Sequence, residues 1–245
     1  MDIITLVATI SEWLGVIAVT MILRASPRFQ PRKLDFLYPR REGMVSLTLF
    51  ALILIIAFFF YQSTLHSSVS APSGVLDLLW QQLTLALISL AAFVAALFIR
   101  KQPALSVLWG RPLLGSSIRL GLALVFLTIF LRGMINTLLK GVSATQGYAL
   151  LGCLGVSLAE ETIFRGYLQP RLGAWLGSRR GWLAASAMFA LWQIPRLMSD
   201  PVTLPLKLVL VTIQGLILGW ATQKSGHVLG PALYRTVSMW TEYLV

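Results

Sequence analysis

Long apolar runs alternate with short polar links along the whole chain. A helix rises 1.5 Å per residue, so about 20 mostly apolar residues cross a bilayer. By that measure residues 3–23, 44–61, 76–99, 120–139, 147–165, 181–198, 205–222 and 228–245 read as spans. The pattern predicts an all-α fold, a polytopic integral membrane helix bundle of about eight transmembrane helices. The first span has no basic start and no small-residue cleavage site, so it reads as retained. Residues 166–180 place Tyr167, Leu168, Leu172, Trp175 and Leu176 at helical spacings and read as an interfacial amphipathic helix. No fixed-period repeat is visible. A soft boundary within 100–119 separates N-terminal membrane helices and basic loops (1–119) from 120–245, where most intramembrane charge lies.

Composition agrees with this reading and removes alternatives. Apolar residues make up 57% of the chain and charged residues 12%, about half the share of a soluble domain. So little charge cannot cover a water-facing surface. The net charge of +11 does not indicate nucleic acid, because the basic residues are grouped by topology. Of the 20 lysines and arginines, 15 fall at the links after the first, third, fifth and seventh spans, counting Arg165 with the fifth. Those links are expected on the cytoplasmic side, with both termini opposite. The expected partners are membrane lipid and a peptide or membrane-protein substrate or partner, with no nucleic acid. The single cysteine, Cys153, permits no intrachain disulfide and no thiolate metal site.

Charges inside spans are costly and usually mark function. The candidates are Glu12, Arg132, Glu160, Glu161, Arg165 and Arg235. Successive helix residues point about 100° apart, so Glu160 and Glu161 are not expected to face one neighbour. Glu161 and Arg165 stand at i and i+4 and can pair, which leaves Glu160 to face the bundle interior. Glu12 has no adjacent partner in sequence and is assigned no role.

The stretch Glu160-Glu161-Thr162-Ile163-Phe164-Arg165-Gly166-Tyr167 resembles the first motif, Glu-Glu-x-x-x-Arg, of the CAAX protease and bacteriocin-processing family (Abi, type II CAAX prenyl endopeptidase-like). Phe189 through Gln193 resembles the second motif, Phe-x-x-x-His, with Gln193 at the histidine position. Gly215–Trp220 and Ser225–Pro231 look like the approach to the third motif. There the family has histidine four residues after the proline and asparagine four further on; this chain has Arg235 and Met239. The resemblance covers 147–245. It implies an eight-helix bundle with a polar cavity lined by Gln193, Arg235 and Met239, in a prokaryotic cytoplasmic membrane. It also implies peptide hydrolysis in which a glutamate and the second-motif histidine activate water. By motif one alone, Glu160, Glu161 and Arg165 are the catalytic candidates.

Residue chemistry qualifies that implication. Glu160 can serve as a base. Gln193 donates a hydrogen bond but does not exchange protons near neutral pH, and Arg235 can either donate to an oxyanion or bridge to Glu160. The topology puts His66 and His227 a bilayer apart, and a catalytic zinc wants three protein ligands, so no metal or other cofactor is expected. Three functions compete: an endopeptidase with activity impaired by the missing histidines, a pseudoprotease that binds a peptide, lipid or membrane protein without cutting, and an ion relay using Arg132, Glu160 and Arg235. The lack of repeats and of matched broken helices counts against the third. The fifth helix must extend past Arg165 if Glu160 is to meet Gln193, which lies about 18 Å into its own span at 1.5 Å per residue.

Overall fold

The computed structural model describes residues 3–25, 34–66, 75–198 and 201–244. They form α1 (Ile3–Arg24), α2 (Pro39–His66), α3 (Val75–Ile99), α4 (Arg111–Leu131), α5 (Ile135–Leu139) and α6 (Ala144–Glu161). A π-helical turn, Thr162–Leu168, joins α6 to α7 (Gln169–Leu176), followed by α8 (Ser178–Leu197), α9 (Leu204–Ser225) and α10 (Leu229–Trp240). The expected links at 24–43 and 62–73 lie partly outside the described residues, Arg28, Arg32 and Lys33 among them, as does part of the turn at 199–204.

Each expected span is helical, the fourth as two helices, and the chain is an all-α polytopic bundle. Six helical segments among the described residues are long and apolar enough to cross a membrane: Leu6–Arg24, Pro39–Ser63, Leu76–Ile99, Leu113–Leu131, Ala144–Leu176 and Leu204–Ser225. The other two expected spans are α8, which carries Arg179, Arg180 and Arg196, and α10, which has 12 residues. Twelve residues rise about 18 Å, short of a hydrocarbon core of about 30 Å. Protein rather than lipid surrounds α10: it packs between α4 and α6, while α8 packs between α7 and α9. The N-terminal helices close the bundle, α1 on α4 and α9, α2 on α7 and α8, and α3 on α6.

Local chemistry sets the ends. Ser143 and Gln146 form a reciprocal capping box that starts α6. Gly226, in the left-handed region at φ 68°, ends α9. The fourth helix starts at Arg111, well before the expected residue 120, because Pro112 suits a first helical turn. It stops at Leu131, where Gly133 turns the backbone left-handed at φ 65°, and α5 is separate.

The fifth helix does extend. Ala144–Leu176 forms one continuous segment of 33 residues. This corrects the reading of 166–180 as an interfacial helix. Tyr167, Leu168, Leu172 and Arg171 are each no more than 1% exposed. Their helical spacing marks a buried face, but the face meets α2 and α8 rather than lipid headgroups. Arg171 is not a solvated loop charge. Its guanidinium donates to Glu42 at 3.2 Å and Gln102 at 2.6 Å, and lies 3.7 Å from the Tyr167 ring centroid. Arg100 pairs with the same Glu42 carboxylate. These contacts tie the connector after α3 to α7. At Gly166 a β-carbon would stand 2.6 Å from the Val107 carbonyl oxygen, so the connector backbone sits directly against the motif glycine.

Candidate active site

The long fifth helical segment places the motif-one residues at mid-bundle. Glu160 and Glu161 are the last residues of α6, and Arg165 lies in the π turn. Such wide turns are uncommon and often mark functional sites. Pro170, just beyond the turn, has no N–H to return to the carbonyls before it, and the widened winding absorbs that break.

Glu160 is fully buried. Its Oε1 accepts from Gln82 Nε2 at 3.2 Å and Trp192 Nε1 at 3.4 Å. Its Oε2 accepts from Gln193 Nε2 at 3.1 Å and from Arg235 Nη2, with which it forms an ion pair. Four donors therefore converge from α3, α8 and α10. Gln82 in turn accepts from Arg196 Nη1 at 2.5 Å.

Glu161 is equally buried. Its Oε1 lies 3.2 Å from Arg165 Nη1, the expected i, i+4 pair, and 3.4 Å from Arg235 Nη1. The adjacent glutamates thus do share a neighbour, contrary to expectation. The 100° divergence holds for the helix, but one guanidinium offers Nη2 to Glu160 and Nη1 to Glu161 and spans the gap. Phe189 lies beneath both cations, its ring centroid 4.1 Å from the guanidinium carbon of Arg165 and 4.7 Å from that of Arg235, a geometry that adds cation–π attraction. Arg165 also donates to the Gly215 carbonyl at 3.4 Å. Three buried polar atoms of the cluster stay without a hydrogen-bond partner, Glu161 Oε2, Arg165 Nη1 and Arg235 Nε.

The substituted positions divide. Gln193 and Arg235 point into the carboxylates and are 2% and 3% exposed. Met239 stands apart from them: its sulfur accepts from Ser157 Oγ at 3.7 Å, and it packs on the apolar cluster that includes Leu79 and Cys153. Glu12 has a partner after all, since Arg132 Nε donates to it at 2.8 Å. Arg132 belongs to this second ion pair and not to the central cluster. His227 caps α10, its Nδ1 accepting from the Leu229 N–H at 3.0 Å, and its ring meets Trp109 edge-on. Among the described residues no three His, Cys, Asp or Glu side chains gather as a metal would need.

Residues 143–240 match the family model described as type II CAAX prenyl endopeptidase Rce1-like. The C-terminal segment is therefore similar to the Rce1-like family over those residues. No curated protein and no solved structure matches the chain. The Rce1-like segment contains Glu160, Glu161, Arg165, Trp192, Gln193, Arg196 and Arg235. Gln82 lies outside it on α3. It is the contributor that the motifs could not supply, and the signal for it was an amide pair, Gln81 and Gln82, within an otherwise apolar span.

Proposed function

We propose that this chain is an integral membrane protein of intramembrane endopeptidase type whose glutamate centre binds a peptide or membrane-protein partner without cleaving it. Saturation of Glu160 carries the reading. A carboxylate offers about four lone-pair sites, and four donors already occupy them, from Gln82, Trp192, Gln193 and Arg235. A general base must accept a proton from a water within hydrogen-bond reach, and Glu160 has no acceptor position left for one. The side chains at the family's histidine positions, an amide and a guanidinium, do not exchange protons near neutral pH. A metal does not fit either, because a cation at Glu160 would have to displace Arg235 and would find no imidazole. Bound polypeptide would meet the unused acceptor Glu161 Oε2, which can take a peptide N–H, and the unused donors Arg165 Nη1 and Arg235 Nε, which can give to a peptide carbonyl.

That free acceptor favours a second reading, hydrolysis with Glu161 as base and Gln193 and Arg235 donating to the oxyanion. One experiment separates them. Purified protein is incubated in detergent with a peptide library, alongside Glu160→Gln and Glu161→Gln. The proposal expects no cleavage by any form and peptide retention by the wild type. Cleavage abolished by Glu161→Gln establishes the second reading. Cleavage abolished by Glu160→Gln refutes the saturation argument. The basic links face the cytoplasm of a prokaryotic cell in this proposal, which thiol labelling of single cysteines placed in those links tests.

A further inference from the structure

We infer that Arg196 is a positioning residue for Glu160 and acts through Gln82, fixing which end of the Gln82 amide faces the carboxylate. The inference stands whether the centre binds or cuts. An arginine only donates hydrogen bonds. Arg196 Nη1 lies 2.5 Å from one end of the Gln82 amide, so that end must be the carbonyl. The NH2 end is then committed to Glu160 Oε1, 3.2 Å away. The reversed amide would set two acceptor oxygens against each other at Glu160 and two donors against each other at Arg196. Trp192 and Arg235 are also obligate donors. With Gln82 locked, at least three of the four neighbours can only give a hydrogen bond, and every one of them requires an acceptor oxygen on Glu160. A proton on the carboxyl would displace one of these donors.

The placement suits such a role. One helix end, α8, carries Trp192 and Gln193 on the carboxylate and Arg196 one turn further, behind Gln82. Pro195 lies within that last turn, and its missing N–H loosens the local helix ladder. Arg196 is partly exposed, whereas Trp192 and Gln193 are buried. It is thus the member of the network nearest the surroundings, one hydrogen bond removed from Glu160.

The test is infrared spectroscopy of the purified protein in detergent. The compared forms are wild type, Arg196→Ala, Arg196→Met and Arg196→Lys, each with and without Glu160→Gln. Freed of Arg196, the Gln82 carbonyl can turn to Glu160 and accept from a carboxylic O–H. A carboxylic C=O band should therefore appear in Arg196→Ala and Arg196→Met. It should be absent from the wild type and from Arg196→Lys, which restores a donor, and it should vanish with Glu160→Gln. In a Gln82→Leu background, Arg196→Ala should add no further band. A merely structural arginine would change thermal stability without changing this band. Spectra of Arg196→Ala and Arg196→Met that match the wild type would overturn the inference, as would a new band that survives Glu160→Gln.

Discussion

Replacing Arg235 with methionine tests the central cluster most directly. Methionine keeps the stem and removes the guanidinium that Glu160 and Glu161 share. Both carboxylates are fully buried, and removing one partner of a buried ion pair costs about 3–5 kcal/mol. The two glutamates are not equally exposed to that loss. Glu161 keeps Arg165 at 3.2 Å. Glu160 keeps only the neutral donors Gln82, Trp192 and Gln193, with no cation in contact. The three donors hold the cost near the lower end, about 3 kcal/mol. At about 2–4 °C per kcal/mol for a chain of this size, Tm should fall by roughly 6–12 °C. Adding Glu160→Gln to Arg235→Met should recover about 1–3 kcal/mol, the coupling expected for residues in one network. Tryptophan-fluorescence melts in detergent of the wild type, both single variants and the double measure the cycle. Strict additivity of the two substitutions, or an Arg235→Met protein that melts with the wild type, would refute the charge argument.

Arg171→Met should cost about 3–5 kcal/mol for a broken buried pair, and hydrogen exchange should rise over 100–110, the connector that Arg171 holds through Gln102 and Ser106. Gly166→Ala should destabilise by about 1–3 kcal/mol through overpacking, because the new methyl would meet the Val107 carbonyl oxygen at 2.6 Å; a melt unchanged from wild type would mean that the connector yields. Burial pushes the His227 imidazole below its ordinary value. The unfolded chain then binds more protons at this site, so stability is full above about pH 6.5 and declines as pH falls through the depressed folded value. His227→Asn keeps a capping acceptor for the Leu229 N–H but cannot titrate, so it should flatten that slope in Tm against pH; an unchanged slope assigns it to another group.

The bundle could be read from the sequence because twenty-residue apolar runs have few other uses, and the local i, i+4 rule placed Glu161 beside Arg165. Helical geometry also required the fifth helix to run on past Arg165 to bring Glu160 to Gln193. The readings that failed were ones that judged a residue by its own neighbourhood. Arg171 lies in a basic stretch, but Glu42 neutralises it from 129 positions away. Glu12 has no neighbouring cation in sequence, yet Arg132 reaches it across 120 positions. Gln82 belongs to a span outside the motif-bearing segment, and amides carry no charge to draw notice. Met239 occupies a motif position by count, but its side chain has no donor that the carboxylates could use, and it packs with apolar neighbours instead.

The substitution at 235 ties stability to function. Glu160 and Glu161 with Arg165 alone would leave a buried carboxylate uncompensated unless it took up a proton, a water or a cation. A neutral imidazole at position 235 would preserve that deficit, and with it a demand for a reactive partner. Arg235 brings the four-residue cluster to formal neutrality, and its forked guanidinium meets both carboxylates at once. Gln193 then fills the remaining acceptor site on Glu160. Glu160 is thereby saturated by donors of the protein itself, which in the proposed function keeps it from activating water. The unfilled hydrogen-bonding capacity lies beside it, at Glu161 Oε2, Arg165 Nη1 and Arg235 Nε. In the proposed function a ligand is therefore recognised at those atoms and not at Glu160.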